Sequence, residues 1–273
     1  MRSAPAIVLA AALAALACRP RVPPPDLSLD PAGLAEQVRA AQARTRSVRG
    51  EARVRMETAE FSGTVPALVA AEWPDRLLVQ TLDFFGNTVA VLAAADGELS
   101  LHDARANVVY RGAATPENLS RLVSLPLSPA DLARILCGSA PILAGEPVSA
   151  EPGRGHVTLG IAAGARTQTL RIGAGAEVLR SALRVDGAPG PGTYDLEFAG
   201  FDRFEGSRFP TEVALSAEVP RVRMRLVWID VEPNAALERG AFSPRVPRGA
   251  RVVDLAEAAP PAFLAPEPPR PAE

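Results

Sequence analysis

Apolar and polar residues alternate with two different periods along this chain, and the switches between them outline a fold. The first periodic stretch is helical. Asp30-Pro31 reads as a helix cap followed by proline at the first helical position, and Leu34, Val38, Ala41, Thr45 and Val48 then recur at helical spacing. This predicts an amphipathic helix over about residues 31–47, ended near Gly50. From Glu51 the period becomes two. Glu51, Arg53, Arg55 and Glu57 alternate with Ala52, Val54 and Met56, the pattern of a half-buried strand. Further strands are expected over residues 63–72, 76–82, 88–95, 99–102 and 108–110. Pro66 suggests an edge or a bulge in the first of these, and Asp96-Gly97 is a tight-turn signal.

Two short helices then interrupt the strands. Thr115-Pro116-Glu117 opens one, with Leu119, Leu122 and Val123 on a single face. Ser128-Pro129-Ala130-Asp131 is a capping-box pattern for the other; Leu132, Ile135 and Leu136 form its apolar face and Gly138 closes it. Strands return over residues 157–162, 167–172, 178–185, 194–201, 211–219 and 222–231, separated by turns rich in glycine and proline. In the last strand Val222, Met224, Leu226 and Trp228 share one face, opposite Arg221, Arg223 and Arg225. The phase flips beyond Val227, which predicts a bulge or two-sided burial there. Sequential strands joined by short turns make an antiparallel sheet, and three helices with apolar faces need a surface to cover. The fold class expected is mainly β with a few helices (α+β), a curved antiparallel sheet with helices on its concave face. The domain is expected over residues 31–255, and the Pro- and Ala-rich residues 256–273 as a disordered tail.

The first residues carry a different signal. Arg2 supplies a positive start, and an apolar run from Ala6 to Ala17 follows, too short to span a bilayer as a mature helix. Residues 1–17 therefore read as a secretory signal peptide, and Ala15-Leu16-Ala17-Cys18 is a sequence that a lipoprotein signal peptidase accepts. Cys18 is the expected lipid anchor: a diacylglycerol on its thiol and an acyl chain on its freed amine each add about 0.8 kcal/mol per buried methylene. The competing reading is an ordinary secretory peptide with an incidental cysteine. Residues 18–30, with Arg19-Pro20-Arg21-Val22-Pro23-Pro24-Pro25, form a stiff extended tether. Arg rather than Asp after the cysteine resembles the outer-membrane address of enteric bacteria, which places the domain facing the periplasm.

Composition excludes several classes. The 29 basic residues, all arginine, balance 31 acidic ones to a net charge of -2, against a nucleic-acid partner. With Cys18 acylated, Cys137 has no partner for a disulfide. His102 and His156 lie in unrelated strands with no ligand at metal spacing. No nucleophile elbow and no phosphate loop occurs. The expectation is a protein without catalysis, metal or cofactor.

Three stretches carry a family resemblance. Leu82-Asp83-Phe84-Phe85-Gly86-Asn87-Thr88 looks like a loop of Pro-Leu-Gly type between two early strands. Leu125-Pro126-Leu127-Ser128 with Leu132, Ile135, Leu136 and Gly138 resembles a signature helix after a short proline turn. Tyr194 to Phe201, Pro210, and Val222 to Trp228 resemble closing strands. In this order and spacing the chain, over roughly residues 34–231, resembles the LolA/LolB superfamily of lipoprotein-localisation proteins, and LolB more closely because that too is a lipoprotein. The resemblance implies an incomplete barrel with a helical lid and a hydrophobic cavity. It also implies a cavity that receives acyl chains of a lipid or lipoprotein from a soluble periplasmic carrier, and a loop that helps place the cargo in the outer membrane. Phe84, Phe85 and Gly86 fall on that loop, with phenylalanine where the family has leucine. The Pro-rich start and long tail depart from the family.

Each candidate has a plainer reading. One of Phe84 and Phe85 would plug a barrel mouth if it were not exposed at the membrane. Trp73, Leu77, Val79, Val89, Val91, Leu132, Leu136, Val213, Leu215, Met224, Leu226 and Trp228 are candidate cavity wall, which sequence does not separate from a packed core. The alternative to a lipid-binding module is a structural or assembly lipoprotein of the envelope that binds a protein partner and has no lipid cavity.

Overall fold

A computed structural model describes residues 26–257 other than Glu60, Pro189, Glu205 and Gly206. The signal peptide, Cys18, residues 19–25 of the tether and the tail from 258 lie outside the described residues. Helix α1 spans Pro31–Gln42. Six strands follow: β1 (Ser47–Glu57), β2 (Ser62–Glu72), β3 (Arg76–Leu82), β4 (Thr88–Ala95), β5 (Glu98–Asp103) and β6 (Val108–Ala113). Helices α2 (Pro116–Val123) and α3 (Pro129–Leu136) come next. The second run is β7 (Glu146–Gly153), β8 (His156–Ala163), β9 (Arg166–Ile172), β10 (Val178–Val185), β11 (Tyr194–Phe204), β12 (Ser207–Glu218) and β13 (Arg221–Pro233). A 3-10 turn at Arg239–Phe242 and a further strand, β14 (Arg251–Asp254), complete the elements of the described residues.

Among the described residues, fourteen strands form one open sheet, in the order β14-β6-β5-β4-β3-β2-β1-β13-β12-β11-β10-β9-β8-β7. Every pairing is antiparallel except that of β14, which adds to β6 in parallel. β1 pairs with both β2 and β13, so the two runs of strands join into one surface at the start of the first. The three helices pack on one face: α1 on β7 and β8, α2 on β5, and α3 on β2 and β3.

Local chemistry explains the helices. In α1 the Asp30 carboxylate accepts from the Gly33 N–H at 2.7 Å, and Leu34, Ala35 and Val38 are buried. In α2 the Thr115 hydroxyl accepts from Asn118 N–H, and Leu119 and Leu122 turn inward. In α3 both capping-box bonds form, Asp131 N–H to Ser128 Oγ at 3.0 Å and Ser128 N–H to Asp131 Oδ2 at 3.2 Å. The first helix stops at Gln42, short of the expected 47, and the carbonyls of Gln42 and Thr45 accept from the Arg134 guanidinium of α3. Val48, expected on the helix, is instead fully buried in β1, where it fits period two with Ala52.

The bulge expected after Val227 is present. Glu51 pairs with Asp230 and Ala52 with Trp228, so Ile229 is the extra residue and turns to solvent. Gly50 passes this point, and a Cβ there would collide with the Asp230 carbonyl. Pro66 lies in a strand between two others, yet β3 pairs with β2 only from Ala67 onward. The missing N–H of Pro66 therefore faces no neighbour.

Three elements lack a clear signature. β7 contains Pro147 and Pro152 and pairs only with β8, an edge position where proline is tolerated. The 3-10 turn buries Phe242 against Ala70, Ala95, Leu78 and Leu237, a second small core on the sheet face away from the helices. β14 then carries the chain to the edge beyond β6.

Candidate functional site

The turn between β3 and β4 is rigid and capped by an aromatic pair. Asp83 Oδ1 accepts from the N–H groups of Phe85 and Asn87, both at 2.8 Å, and Oδ2 accepts from the Asn87 side chain at 3.0 Å. Asp83 N–H donates to Asn87 O, and Gly86 takes a left-handed φ of 83°, which a side chain would oppose. The Asn87 side chain, then the backbone N–H groups, hold the Asp83 carboxyl below its ordinary pKa. The turn fixes both rings outward: Phe84 is 95% exposed and Phe85 84%, edge to face with centroids 5.5 Å apart. Neither ring plugs the sheet.

The candidate wall residues fall into three groups. Leu77, Leu132, Leu136, Val213, Leu215, Met224, Leu226 and Trp228 all lie in the core beneath the helices, exposed by 0–7%, with Val79 half-buried against them. A side chain lining a water-sized hollow would keep accessible surface. These keep almost none, so at these positions the interior is packed.

Val89 and Val91 do not belong to this wall. Val79 pairs with Leu92 and Gln80 with Val91, so Ala90, Leu92 and Ala94 face the helices while Val91 faces away, in a crevice with His102 and Pro244 to Pro247. Val89 is the extra residue of a bulge between Thr81 and Leu82. The reason is two-sided burial: the chain after β13 covers the second face of β4, so its apolar run carries no alternation.

Trp73 is also off the wall. It is 47% exposed at the rim, with the Arg134 guanidinium 4.5 Å above its ring. Arg134 and Phe209 are among the buried side chains that pattern reading passed over. Arg134 is 6% exposed, has no carboxylate partner among the described residues, and is bonded to two backbone carbonyls. Burial pulls its pKa down. The only signal would have been an arginine inside the apolar stretch Leu132 to Leu136. The two histidines are far apart in the fold: His102 pairs with Val109 at the β5–β6 end of the sheet, and His156 contacts the Arg154 carbonyl in the β7–β8 turn.

Cys137 lies at the end of α3, with its thiol toward the carbonyls of Arg46 and Ala71. Burial pushes its pKa from 9.0 up to about 11, against the smaller pull of Arg134. The sign of the consequence is definite. Below pH 9 the thiol is protonated folded and unfolded, and its contribution is fully present. Between pH 9 and about 11 only the unfolded chain loses the proton, so stability falls as pH rises. Tyr194, also raised by burial, acts in the same direction above pH 10. Unfolding free energies from urea titrations at pH 8 and pH 10.5 should therefore separate more for the parent than for Cys137→Ala, by roughly 2 kcal/mol. Equal separations would refute the burial argument.

Comparison with known proteins places the fold. No family model matches the chain, and no curated protein matches it either. Solved structures do. A DUF1329 family protein from Desulfovibrio piger superposes with a TM-score of 0.57 at 11% identity, over 79% of this chain and 98% of that one. A LolA superfamily protein from Nitrosomonas europaea gives 0.54 at 11% identity, over 79% and 98%. A domain assigned as an outer membrane lipoprotein-sorting protein, from Vibrio parahaemolyticus, gives 0.53 at 13% identity, over 77% and 94%. The chain therefore has the fold of LolA superfamily proteins, an open curved sheet with helices on one face.

Proposed function

We propose that this chain is a lipid-anchored envelope domain that binds acyl chains. Residues 1–17 are removed, Cys18 is acylated, and the domain faces the periplasm from the outer membrane. The domain accepts lipid or lipoprotein cargo, handed over by a soluble periplasmic carrier. It delivers the cargo to the bilayer through the β3–β4 turn. It performs no catalysis and uses no cofactor or metal. The observation that carries this reading is the pair of exposed phenylalanines on a turn braced by Asp83. Two large apolar rings held in water by a rigid turn are stabilised by an interface that takes them up. The shared fold and the helical layer support it further. Helices touch the sheet through side chains alone, so the layer separates without breaking a strand ladder, and an acyl chain enters between the two.

The packed interior favours the second reading, a tethered domain that binds a protein partner without lipid. Native mass spectrometry of the full chain carrying Cys18→Ser separates them. Co-purifying acyl species are expected under the first reading. A spectrum of bare protein from several preparations would rule it out in favour of the second.

A further inference from the structure

The β3–β4 and β5–β6 turns leave the same end of the sheet side by side, about 10 Å apart in the strand order. The registers set their heights. Ala90 of β4 is level with Asp103 of β5, Asp103 with Val108 of β6, and Val108 with Arg251 of β14. β4 extends two residues farther, to Thr88, so the phenylalanine turn overhangs the β5–β6 turn by roughly 7 Å. Three arginines stand at the lower level. Arg105 is in the β5–β6 turn, Arg248 precedes Gly249, which lies beside Asn107, and Arg251 donates its N–H to the Asn107 carbonyl at 3.0 Å. All three are exposed, with no carboxylate partner among the described residues. The acids of the two turns are taken up by the chain itself. Asp83 braces the phenylalanine turn, and Asp103, 3% exposed, accepts from the N–H groups of Arg105 and Ala106 at 2.9 and 3.1 Å. The opposite end of the same strands has the reverse balance, with Glu72, Asp75, Asp96 and Glu98 against Arg76 and Arg111.

We propose that this corner docks on an anionic phospholipid surface, with Arg105, Arg248 and Arg251 at the lipid phosphates and Phe84 and Phe85 passing beneath them into the acyl region. The inference rests on the reading of the β3–β4 turn as the membrane contact and adds which lipids that contact selects. Interfacial apolar side chains reach about 5–10 Å into the boundary of head groups and acyl chains, the depth that the overhang gives both rings when the arginines are at the phosphates. Guanidinium groups match phosphate oxygens in pairs, and an anionic surface attracts each of them. The acidic end lies about 25 Å away along β4, beyond the roughly 8 Å reach of charge at physiological salt, so it does not cancel that attraction. A molecule approaching acid end first is repelled, which orients the domain. The tether holds it close. Cys18 stands eight positions before Asp26, which a chain spans in at most about 29 Å.

The test sediments the full chain carrying Cys18→Ser with vesicles of phosphatidylcholine alone and with vesicles containing about one-third phosphatidylglycerol, at low and high salt. The parent should bind the anionic vesicles more tightly, and high salt should erase the preference. Arg105→Gln, Arg248→Gln and Arg251→Gln should each weaken binding to anionic vesicles about fivefold and leave binding to phosphatidylcholine unchanged. Arg154→Gln, an exposed arginine in the β7–β8 turn at the opposite end of the sheet, removes the same charge and should leave the preference intact. Equal binding of both vesicles by the parent overturns the anionic-lipid surface and leaves the phenylalanine turn as membrane contact. A preference that survives in the triple arginine variant, or that falls equally with Arg154→Gln, overturns this corner as its source. A parent that binds neither vesicle removes the membrane-contact reading, and this inference with it.

Discussion

Replacing Phe84 and Phe85 together by glutamate should weaken binding of the full chain carrying Cys18→Ser to phospholipid vesicles by about a hundredfold, without lowering its melting temperature. The magnitude follows from area. Burying a phenylalanine side chain is worth roughly 1.5–3 kcal/mol, and two rings partly inserted give about 3 kcal/mol. The absence of a stability cost follows from geometry. Both rings are already in water, and the bonds that shape the turn come from Asp83 and Asn87. Phe84→Leu with Phe85→Leu should retain most of the binding, since apolar area rather than aromaticity is what the membrane takes up. Vesicle sedimentation measures all three proteins, and unchanged binding by the glutamate pair would remove the turn from the mechanism.

The largest loss of stability is expected at the opposite extreme of burial. Phe209→Ala should cost about 3–5 kcal/mol in urea unfolding, because it removes a ring that the surroundings do not refill. Phe209 is 1% exposed, meets Phe204 edge to face at 6.1 Å and lies tilted on Trp228 at 6.3 Å. It also fills the space left by Gly138, where an added Cβ would meet its ring at 2.7 Å. Phe209 thereby ties β12 to the end of α3, joining helical layer and sheet. Phe209→Leu should cost less, since much of the volume is kept. A loss below about 1 kcal/mol for the alanine variant would mean that this corner of the core collapses freely, contrary to the packing described.

Chemistry confined to a few neighbouring residues was readable from the chain alone. Ser128 and Asp131 need only each other to cap α3, and both bonds form. Asp83, Gly86 and Asn87 shape the β3–β4 turn from within, so its aromatic pair could be singled out, although not which way the rings point. In β13 three arginines on the wet face set the phase of Val222, Met224, Leu226 and Trp228, and the flip after Val227 located the bulge. In β4 the same reasoning had nothing to hold. Thr88 to Ala95 is apolar on both faces because Phe242, far along the chain, covers the second one. Val89 and Val91 were consequently assigned to the wrong side. Arg134 was out of reach for a related reason: its carbonyl partners, Gln42 and Thr45, are separated from it by 92 and 89 residues.

By itself, then, the sequence determined the β-rich class, the order of most elements, the caps and turns, and the amphipathic faces that must meet, since each is set by spacing or by groups within a few residues. Only the tertiary structure decided that β1 would join both halves into one open sheet, that β14 would add in parallel at its edge, and that both phenylalanines would stand in water. It also decided that the inward side chains pack closely. Those outcomes depend on which distant surfaces compete for the same apolar face, and no local pattern records the winner.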